Sequence, residues 1–293
     1  MSEWVLARTA APGRSRIQAG LGRLRGKLLV SSLVILALAA VAGLAPWLAP
    51  YSPSEQDLLQ SNRAPSGAHW LGTDVLGRDV LSRMMWGTRV SLAVGVAVVA
   101  MEIVIGAGLG LVAGYRGGWL DLLALRMADV TLAFPPLLFA ILTVALLGPS
   151  LLNILVALML VGWPELARLV RSEVLGLRAL EFVEAAHALG ARPTRVLGVH
   201  LVPNVANSIL VQSSLRVGQV IVAESVLSFL GIGLQPPTPS WGSMISEGLE
   251  YIRTAPHLTV FPGAGLVLIV LAFNFLGEGL RDALDPRLAR TER

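Results

Sequence analysis

Long apolar runs with few charges alternate with short polar segments along this chain of 293 residues. A helix needs about 20 mostly apolar residues to cross the hydrocarbon core of a bilayer. Five runs approach or exceed that length, and they cover residues 28–49, 90–112, 122–147, 201–230 and 258–276. A sixth run, Leu151–Gly162, crosses only if its helix continues through Pro164 towards Leu169. The pattern predicts an all-α membrane protein with six transmembrane helices.

The composition agrees with this prediction, because 54% of the residues are hydrophobic and only 14% are charged, against roughly 25% charged in soluble domains. The basic residues are almost all arginines, and they are spread along the chain rather than gathered on one soluble module. Membrane lipid is therefore a predicted partner and nucleic acid is not. The chain contains no cysteine, which excludes disulfides and thiolate metal sites.

The distribution of basic residues predicts the orientation of the six helices, because cytoplasmic loops carry an excess of Lys and Arg. Sixteen basic residues fall on the side that holds both termini, and four fall on the opposite side. Both termini and the polar segment 176–200 are therefore predicted to be cytoplasmic. Residues 50–87 are then an extracytoplasmic loop.

The remaining domain boundaries follow from these assignments. Residues 1–27 are basic and lack apolar periodicity, so they are predicted to be a disordered cytoplasmic tail. Residues 28–49 are predicted to be an uncleaved helix rather than a signal peptide, whose apolar core has about 7–15 residues. Residues 88–284 form the transmembrane core, and 285–293 form a cytoplasmic C-terminal tail.

Charged residues inside the predicted spans need a reason, because burying a charge in a bilayer is costly. Arg126 and Asp129 are three residues apart on one helix face, which favours a structural ion pair. Glu102 and Glu224 have no partner at helical spacing that clearly neutralises them, so both are candidates for an aqueous path. Glu224 could equally have a structural role, either by pairing with Arg216, two turns earlier, or by lying near the outer surface.

Small residues recur at every fourth position of the second span, at Gly106, Gly110 and Gly114. This spacing aligns a groove along one helix face and lets another backbone approach closely. We favour close packing within one subunit over a specific dimer interface.

The outer loop 231–257 contains a stretch with helical periodicity, in which Trp241, Met244 and further apolar residues lie opposite serine and glutamate. The pattern predicts a short amphipathic helix, either an anchor at the outer membrane surface or a gate over a cavity. We favour the anchor. The candidate residues for a translocation path or gate are Glu224, Asn274, Trp241 and Met244.

Motifs for catalysis are missing from the sequence. The four histidines are scattered over loops on both sides, and HExxH, GxSxG and the GxxxxGK[ST] phosphate loop are all absent. We therefore predict a non-catalytic chain that binds no metal and hydrolyses no nucleotide by itself.

The segment EAAHALG is the centre of the longest interior polar stretch, at residues 184–190. It predicts two helical turns that end at Gly190 with a positive φ. Glu184 lies at the beginning, and Ala185 and Ala186 leave little side chain between the backbone and a neighbour. Such a helix can insert into a cleft of another protein, and the alternative is a linker helix that lies on the surface.

Several motifs resemble one family of membrane proteins. EAAHALG, followed after nine residues by HLVP, resembles the cytoplasmic loop of bacterial ABC-importer permeases, although the usual ending is closer to I-x-L-P. The stretches HWLGTDVLGRDVLSRMMWGTRVSL, RMADVTLAFPPLL, AESVLSFLGIGLQPPTPSWGSMI and FPGAGLVLIVLAFNFLGEGLRDALDPRL are similar to the C-type permease of the dipeptide/oligopeptide/nickel family. The resemblance covers about residues 30–290.

The resemblance implies a type I importer architecture in the bacterial cytoplasmic (inner) membrane. The chain would form a heterodimer with a B-type permease and work with two ATP-binding subunits and an extracytoplasmic binding protein. Glu184, Ala185, Ala186 and Gly190 would belong to a coupling helix that docks on an ATPase. ATP and Mg would bind to those partner subunits, and this chain would bind no cofactor.

Two kinds of alternative remain for the function. Peptides are the favoured substrates, and chelated nickel, glutathione and opines are carried by the same machinery in the family that the chain resembles. A self-sufficient secondary carrier is the alternative of a different class, and it should show inverted repeats with paired broken helices. The sequence shows no such internal symmetry.

Overall fold

A computed structural model describes residues 14–284, with the surroundings of side chains given from residue 26 onward. This range contains nine α-helices and no β-strand. They are α1 (Arg14–Leu48), α2 (Val80–Arg116), α3 (Gly118–Leu132), α4 (Pro136–Leu147), α5 (Leu151–Arg178), α6 (Glu181–Ala188), α7 (Pro193–Phe229), α8 (Trp241–Leu249) and α9 (His257–Leu284). The α2 helix includes a π-helical turn at Ile103–Ala107, and α7 includes another at Val196–Leu201.

Five of these helices, α1, α2, α5, α7 and α9, are long and apolar enough to cross a membrane. The α3 and α4 helices make a sixth candidate span together, but they are bent by 88° at a short break. The predicted single helix over 122–147 is therefore wrong. Pro135 and Pro136 explain the break, because proline lacks an N–H donor and disfavours helical backbone at the preceding residue. The predicted continuation of the fourth helix through Pro164 is confirmed.

The α1 helix begins at Arg14, well before the first predicted span. The prediction of a disordered tail is therefore wrong for residues 14–27, and residues 1–13 lie outside the described range, as does the predicted C-terminal tail 285–293. Residues 14–27 contain four arginines and two leucines, which favour helix, and the helix of the span extends through them in spite of three glycines. Lys27 Nζ lies 3.5 Å from a carboxylate oxygen of Glu278, and this ion pair connects α1 to α9.

The α2 and α5 helices touch along a row of glycines on α2. The facing residues are Gly106 with Trp163, Gly110 with Ala167, and Gly114 with Arg171. A Cβ atom added to these glycines would lie 2.7, 2.5 and 3.0 Å from the facing carbonyl oxygens, in that order. Both sets of numbers rise in steps of four, so the helices run in the same direction. Close packing within one subunit, as predicted, is confirmed.

A buried ion-pair network fixes the loop before α2 to α8. Arg78 Nε donates to Asp74 Oδ2 at 2.6 Å, and its Nη2 donates to Glu247 Oε2 at 2.7 Å. Arg83 donates to the same two carboxylates, with 2.8 Å between its Nη1 and Glu247 Oε2. Both arginines are buried, so Glu247 ties α8 to the outer loop through Arg78 and to the first turn of α2 through Arg83.

The α8 helix is embedded in protein. Trp241 is 1% exposed and Met244 is 4% exposed, and both belong to the main hydrophobic core. The indole N–H of Trp241 donates to the carbonyl oxygen of Met84 at 3.1 Å. The predicted anchor at the membrane surface is therefore wrong. The amphipathic pattern is real, but Trp241 and Met244 on its apolar face pack into the core that α8 forms with α2, α7 and α9, and Leu249 at its end is exposed.

Candidate functional site

The α6 helix carries the EAAHALG segment at one end of the helix bundle. Its Val183 side chain is fully buried and packs into a small core formed by α2, α5 and α7. Glu184 and Ala185 are exposed, and Ala186 is half-buried. Val183 thus anchors the helix on the bundle, while Glu184 and Ala185 of the predicted docking residues remain exposed.

Gly190 ends this helix in the way the sequence predicts. Its φ is +77°, and its N–H donates to the carbonyl oxygen of His187 at 2.9 Å. The N–H of Ala191 donates to the carbonyl oxygen of Ala186 at 3.0 Å. These two bonds form a Schellman motif, which satisfies the last helical carbonyls and requires a left-handed residue. The predicted stop with a positive φ is confirmed.

Aromatic contacts hold both flanks of α6. His187 stacks on Tyr115 of α2 with 5.9 Å between ring centroids, and Phe182 lies 6.1 Å from His200 of α7. Beside the helix is an open groove, and Leu189 at its edge is 89% exposed. An exposed leucine beside small side chains and an acid is a surface suited to contact with another protein.

The predicted ion pair of Arg126 and Asp129 is present, but it is the weaker of two ion pairs that Asp129 makes. Arg126 Nη1 lies 3.8 Å from Asp129, and both side chains are exposed. Arg168 of α5 donates a shorter hydrogen bond to the same carboxylate. Asp129 therefore joins α3 to α5, a contact between helices that spacing along one helix does not reveal.

The structure also corrects the predictions for Glu102 and Arg216. Arg216 Nε lies 3.1 and 3.3 Å from the two carboxylate oxygens of Glu102, and its Nη2 lies 3.2 Å from one of them. The carboxylate of Glu102 is therefore paired, and because Glu102 is only 1% exposed, it does not face an open path. A Cβ on Gly162 of α5 would overlap both partners. Glycine leaves room for the pair in this arrangement, and any larger residue would require the ends of both side chains to shift.

Glu224 is not the partner of Arg216. It is fully buried, and the hydroxyl of Ser228 donates to its Oε1 at 2.7 Å. Asn274 is half-buried on α9, while Trp241 and Met244 lie in the core. Three of the four predicted path residues are thus enclosed by protein, and the structure does not bring the four to one open surface.

Within residues 14–284, no three His, Asp or Glu side chains are grouped closely enough to hold a metal ion. The prominent features are the helices long enough to span a membrane, the charged contacts between them and the exposed α6. This combination is that of a polytopic membrane protein with an exposed short helix at one end.

Comparison with known protein families agrees with that class. Residues 106–290 match the family described as binding-protein-dependent transport system inner membrane component. Residues 27–65 match the N-terminal transmembrane domain of oligopeptide transport permease C. The chain belongs to this family of ABC-transporter permeases, which are not themselves catalytic, and it is a multi-pass protein of the inner membrane.

Individual relatives are similar over most of their length. The chain is 46% identical to the glutathione transport system permease protein GsiD of Pectobacterium atrosepticum, over 88% of this chain and 86% of the relative. It is 44% identical to the dipeptide transport system permease protein DppC of Alkalihalophilus pseudofirmus, over 89% of this chain and 86% of the relative. GsiD of Escherichia coli is also 44% identical, with the same two shares.

Proposed function

We propose that the chain is the permease subunit of an ATP-driven importer that moves di- and oligopeptides inward by alternating access. The similarity to a dipeptide permease over nearly the whole chain supports this proposal. Glutathione is the second candidate substrate, because relatives of equal similarity are named for its transport. Both substrates are small peptides with free amino and carboxylate groups, so one pathway of similar chemistry suits either.

The exposed surface of α6 is the observation that carries the mechanism. Glu184 and Ala185 project from a helix that is held by one buried valine and ended by a rigid Schellman cap. In the proposed mechanism this coupling helix enters a cleft of an ATP-binding subunit. Movement of that subunit during its ATP cycle then moves the transmembrane helices through α6.

The partners and the orientation follow from the same proposal. A B-type permease completes the transmembrane part, an extracytoplasmic binding protein delivers the substrate, and two ATP-binding subunits hold ATP and Mg. This chain needs no cofactor of its own. Both termini and α6 lie in the cytoplasm, as the excess of basic residues on that side favours.

Two substitutions in α6 test the coupling. Glu184→Lys reverses a charge at the contact, and Gly190→Ala strains a φ of +77° at a cost of roughly 1 kcal/mol. Both variants should insert normally but bind ATP-binding subunits weakly, and substrate-stimulated ATP hydrolysis should fall sharply. The measurements are co-purification of the ATP-binding subunits and ATPase activity in proteoliposomes.

Matched controls separate docking from general damage. Glu55→Lys makes the same charge change at an exposed site of the outer loop. Gly118→Ala imposes a comparable backbone strain, because Gly118 has a φ of +62° and open space around it. If the α6 variants behave like these controls, α6 is only a linker and the proposed coupling is wrong.

A further inference from the structure

Arg216 is a charged residue far inside a helix that is long enough to span a membrane, since α7 extends for 23 residues before it and 13 after it. A charge at this depth is costly unless it serves a pathway or is neutralised. Stability alone is a weak reason for it, because a buried ion pair replaced by apolar residues often leaves a protein as stable or more stable.

The two sides of the Arg216 guanidinium have different surroundings. Nε and Nη2 face the Glu102 carboxylate at 3.1–3.3 Å, and glycine at position 162 keeps the space for this contact clear. Nη1 donates to Gln219 Oε1 at 3.0 Å and lies 3.9 Å from Glu165 Oε2. Glu102 therefore fixes one edge of the fork, while the other edge points towards exposed polar side chains.

A cavity of about 140 Å³ opens beside the same guanidinium. Its walls are Arg216 and Gln219 together with apolar residues of α4, α5 and α7, including Pro136 and Ala223. At roughly 30 Å³ for each water, it has room for a carboxylate and the few atoms next to it. The break between α3 and α4 places Pro136 at this wall, so the bend helps to form the cavity.

Glu165 supplies a second negative charge next to the same guanidinium, and it lines a smaller neighbouring pocket that also contains Glu102 and Arg216. Its side chain is 47% exposed, and its contact with Arg216 is long at 3.9 Å. Since Glu102 already neutralises Arg216, the three groups together carry one net negative charge. A carboxylate alone would gain little from such a cluster, whereas a molecule with both a carboxylate and an ammonium group matches a cation beside a loosely held anion.

We propose that Arg216 contacts the carboxylate of a zwitterionic peptide substrate during transport, and that Glu165 receives its ammonium group. Glu102 is a positioning residue, which holds the guanidinium so that Nη1 is presented to the cavity. The inference rests on the proposed function, because it assumes that peptides or glutathione pass through this chain. The substrate would then be recognised within the membrane as well as by the extracytoplasmic binding protein.

The test uses the complete transporter in proteoliposomes with L-alanyl-L-alanine and glutathione as probes. Because the chain has no cysteine, an Ala223→Cys substitution adds one labelling site at the cavity wall. During uptake, a saturating probe should slow maleimide labelling of this cysteine. In the double variant Arg216→Gln with Glu102→Gln, we expect this protection to be lost and uptake to fall by about tenfold or more, equivalent to roughly 1.4 kcal/mol.

The double variant removes both charges, so no unpaired charge remains buried. Arg253→Gln, at an exposed turn on the outer side, is the matched control and should leave uptake and protection unchanged. Glu102→Gln alone should keep substantial protection, since the arginine remains. If the ion pair only held α2 to α7, Glu102→Gln and the double variant would reduce protection equally. Glu165→Gln should weaken protection by the free peptide more than protection by N-acetylated dialanine.

The outcomes separate this inference from the proposed function. If the unsubstituted transporter takes up neither probe, the proposed function fails and the inference fails with it. If it takes up a probe but the probe does not protect the cysteine, or if the double variant retains protection, the inference alone is overturned. Loss of protection in the double variant, with normal assembly, supports it.

Discussion

Replacing Gly110 by alanine tests the backbone contact between α2 and α5. The added Cβ would lie 2.5 Å from the carbonyl oxygen of Ala167 and 3.1 Å from the Cβ of Val170. Neither atom belongs to a flexible side-chain end that can rotate away, so the two helices must separate slightly. Gly108, half a turn earlier, is the control, because a Cβ there meets nothing within 4 Å.

The expected difference in the free energy of unfolding between Gly110→Ala and Gly108→Ala depends on helix propensity and on packing. Alanine raises the helix propensity at either position by about 1 kcal/mol, and this gain cancels when Gly110→Ala is compared with Gly108→Ala. The remaining term is the overpacking of a well-packed contact, which costs about 1–3 kcal/mol. Gly110→Ala should therefore have the lower free energy of unfolding by about 1–3 kcal/mol.

The assay is denaturant titration of the purified chain in micelles, followed by helical circular dichroism, for both alanine variants. Valine at the same two positions extends the series, because a larger side chain should widen the difference. Equal stability of the two alanine variants would refute the tight α2–α5 contact and the reasoning from glycine spacing.

Three further predictions concern orientation and buried charges. A cysteine at Ser66 should react with an impermeant thiol reagent in intact cells and one at Thr194 should not, and the reverse pattern would invert the topology. Glu247→Gln should lower the free energy of unfolding by about 1.5–3 kcal/mol, because two buried arginines lose a charged acceptor. Glu250→Gln, at an exposed position, should have little effect, and equal loss in both would count against the network. Gly162→Ala should lower the melting temperature of the chain, since its Cβ overlaps the neighbouring ion pair, and an unchanged melting temperature would contradict that contact.

The spanning helices could be predicted because hydropathy over about 20 residues reports what a bilayer requires. Hydropathy does not report the direction of a helix axis, so it did not reveal the 88° bend at Pro135 and Pro136. The proline pair itself indicated a break. The start of α1 was missed for a different reason. Basic residues with good helix propensity were interpreted as a tail, while an adjacent helix can extend through them.

The candidate site, like the fold, could be predicted from the sequence only in part. The end of α6 at Gly190 was predictable, because the Schellman motif depends on residues that are neighbours in the sequence. The pairing of Glu102 with Arg216 was not, since 114 positions separate the two residues and periodicity describes only contacts within one helix. A single signal pointed to it: a glycine at position 162, directly after a run of mostly bulky apolar residues at 151–161.

The glycine row between α2 and α5 has a consequence for how force passes through the molecule. The α5 helix has 28 residues, which at 1.5 Å per residue is a rod about 42 Å long, and α6 begins only three positions after its last residue. A push on α6 that tilts this rod by about 5° displaces its far end by roughly 4 Å. Because α2 touches α5 backbone to backbone at three levels, it must tilt as well, so the two helices act as one lever arm.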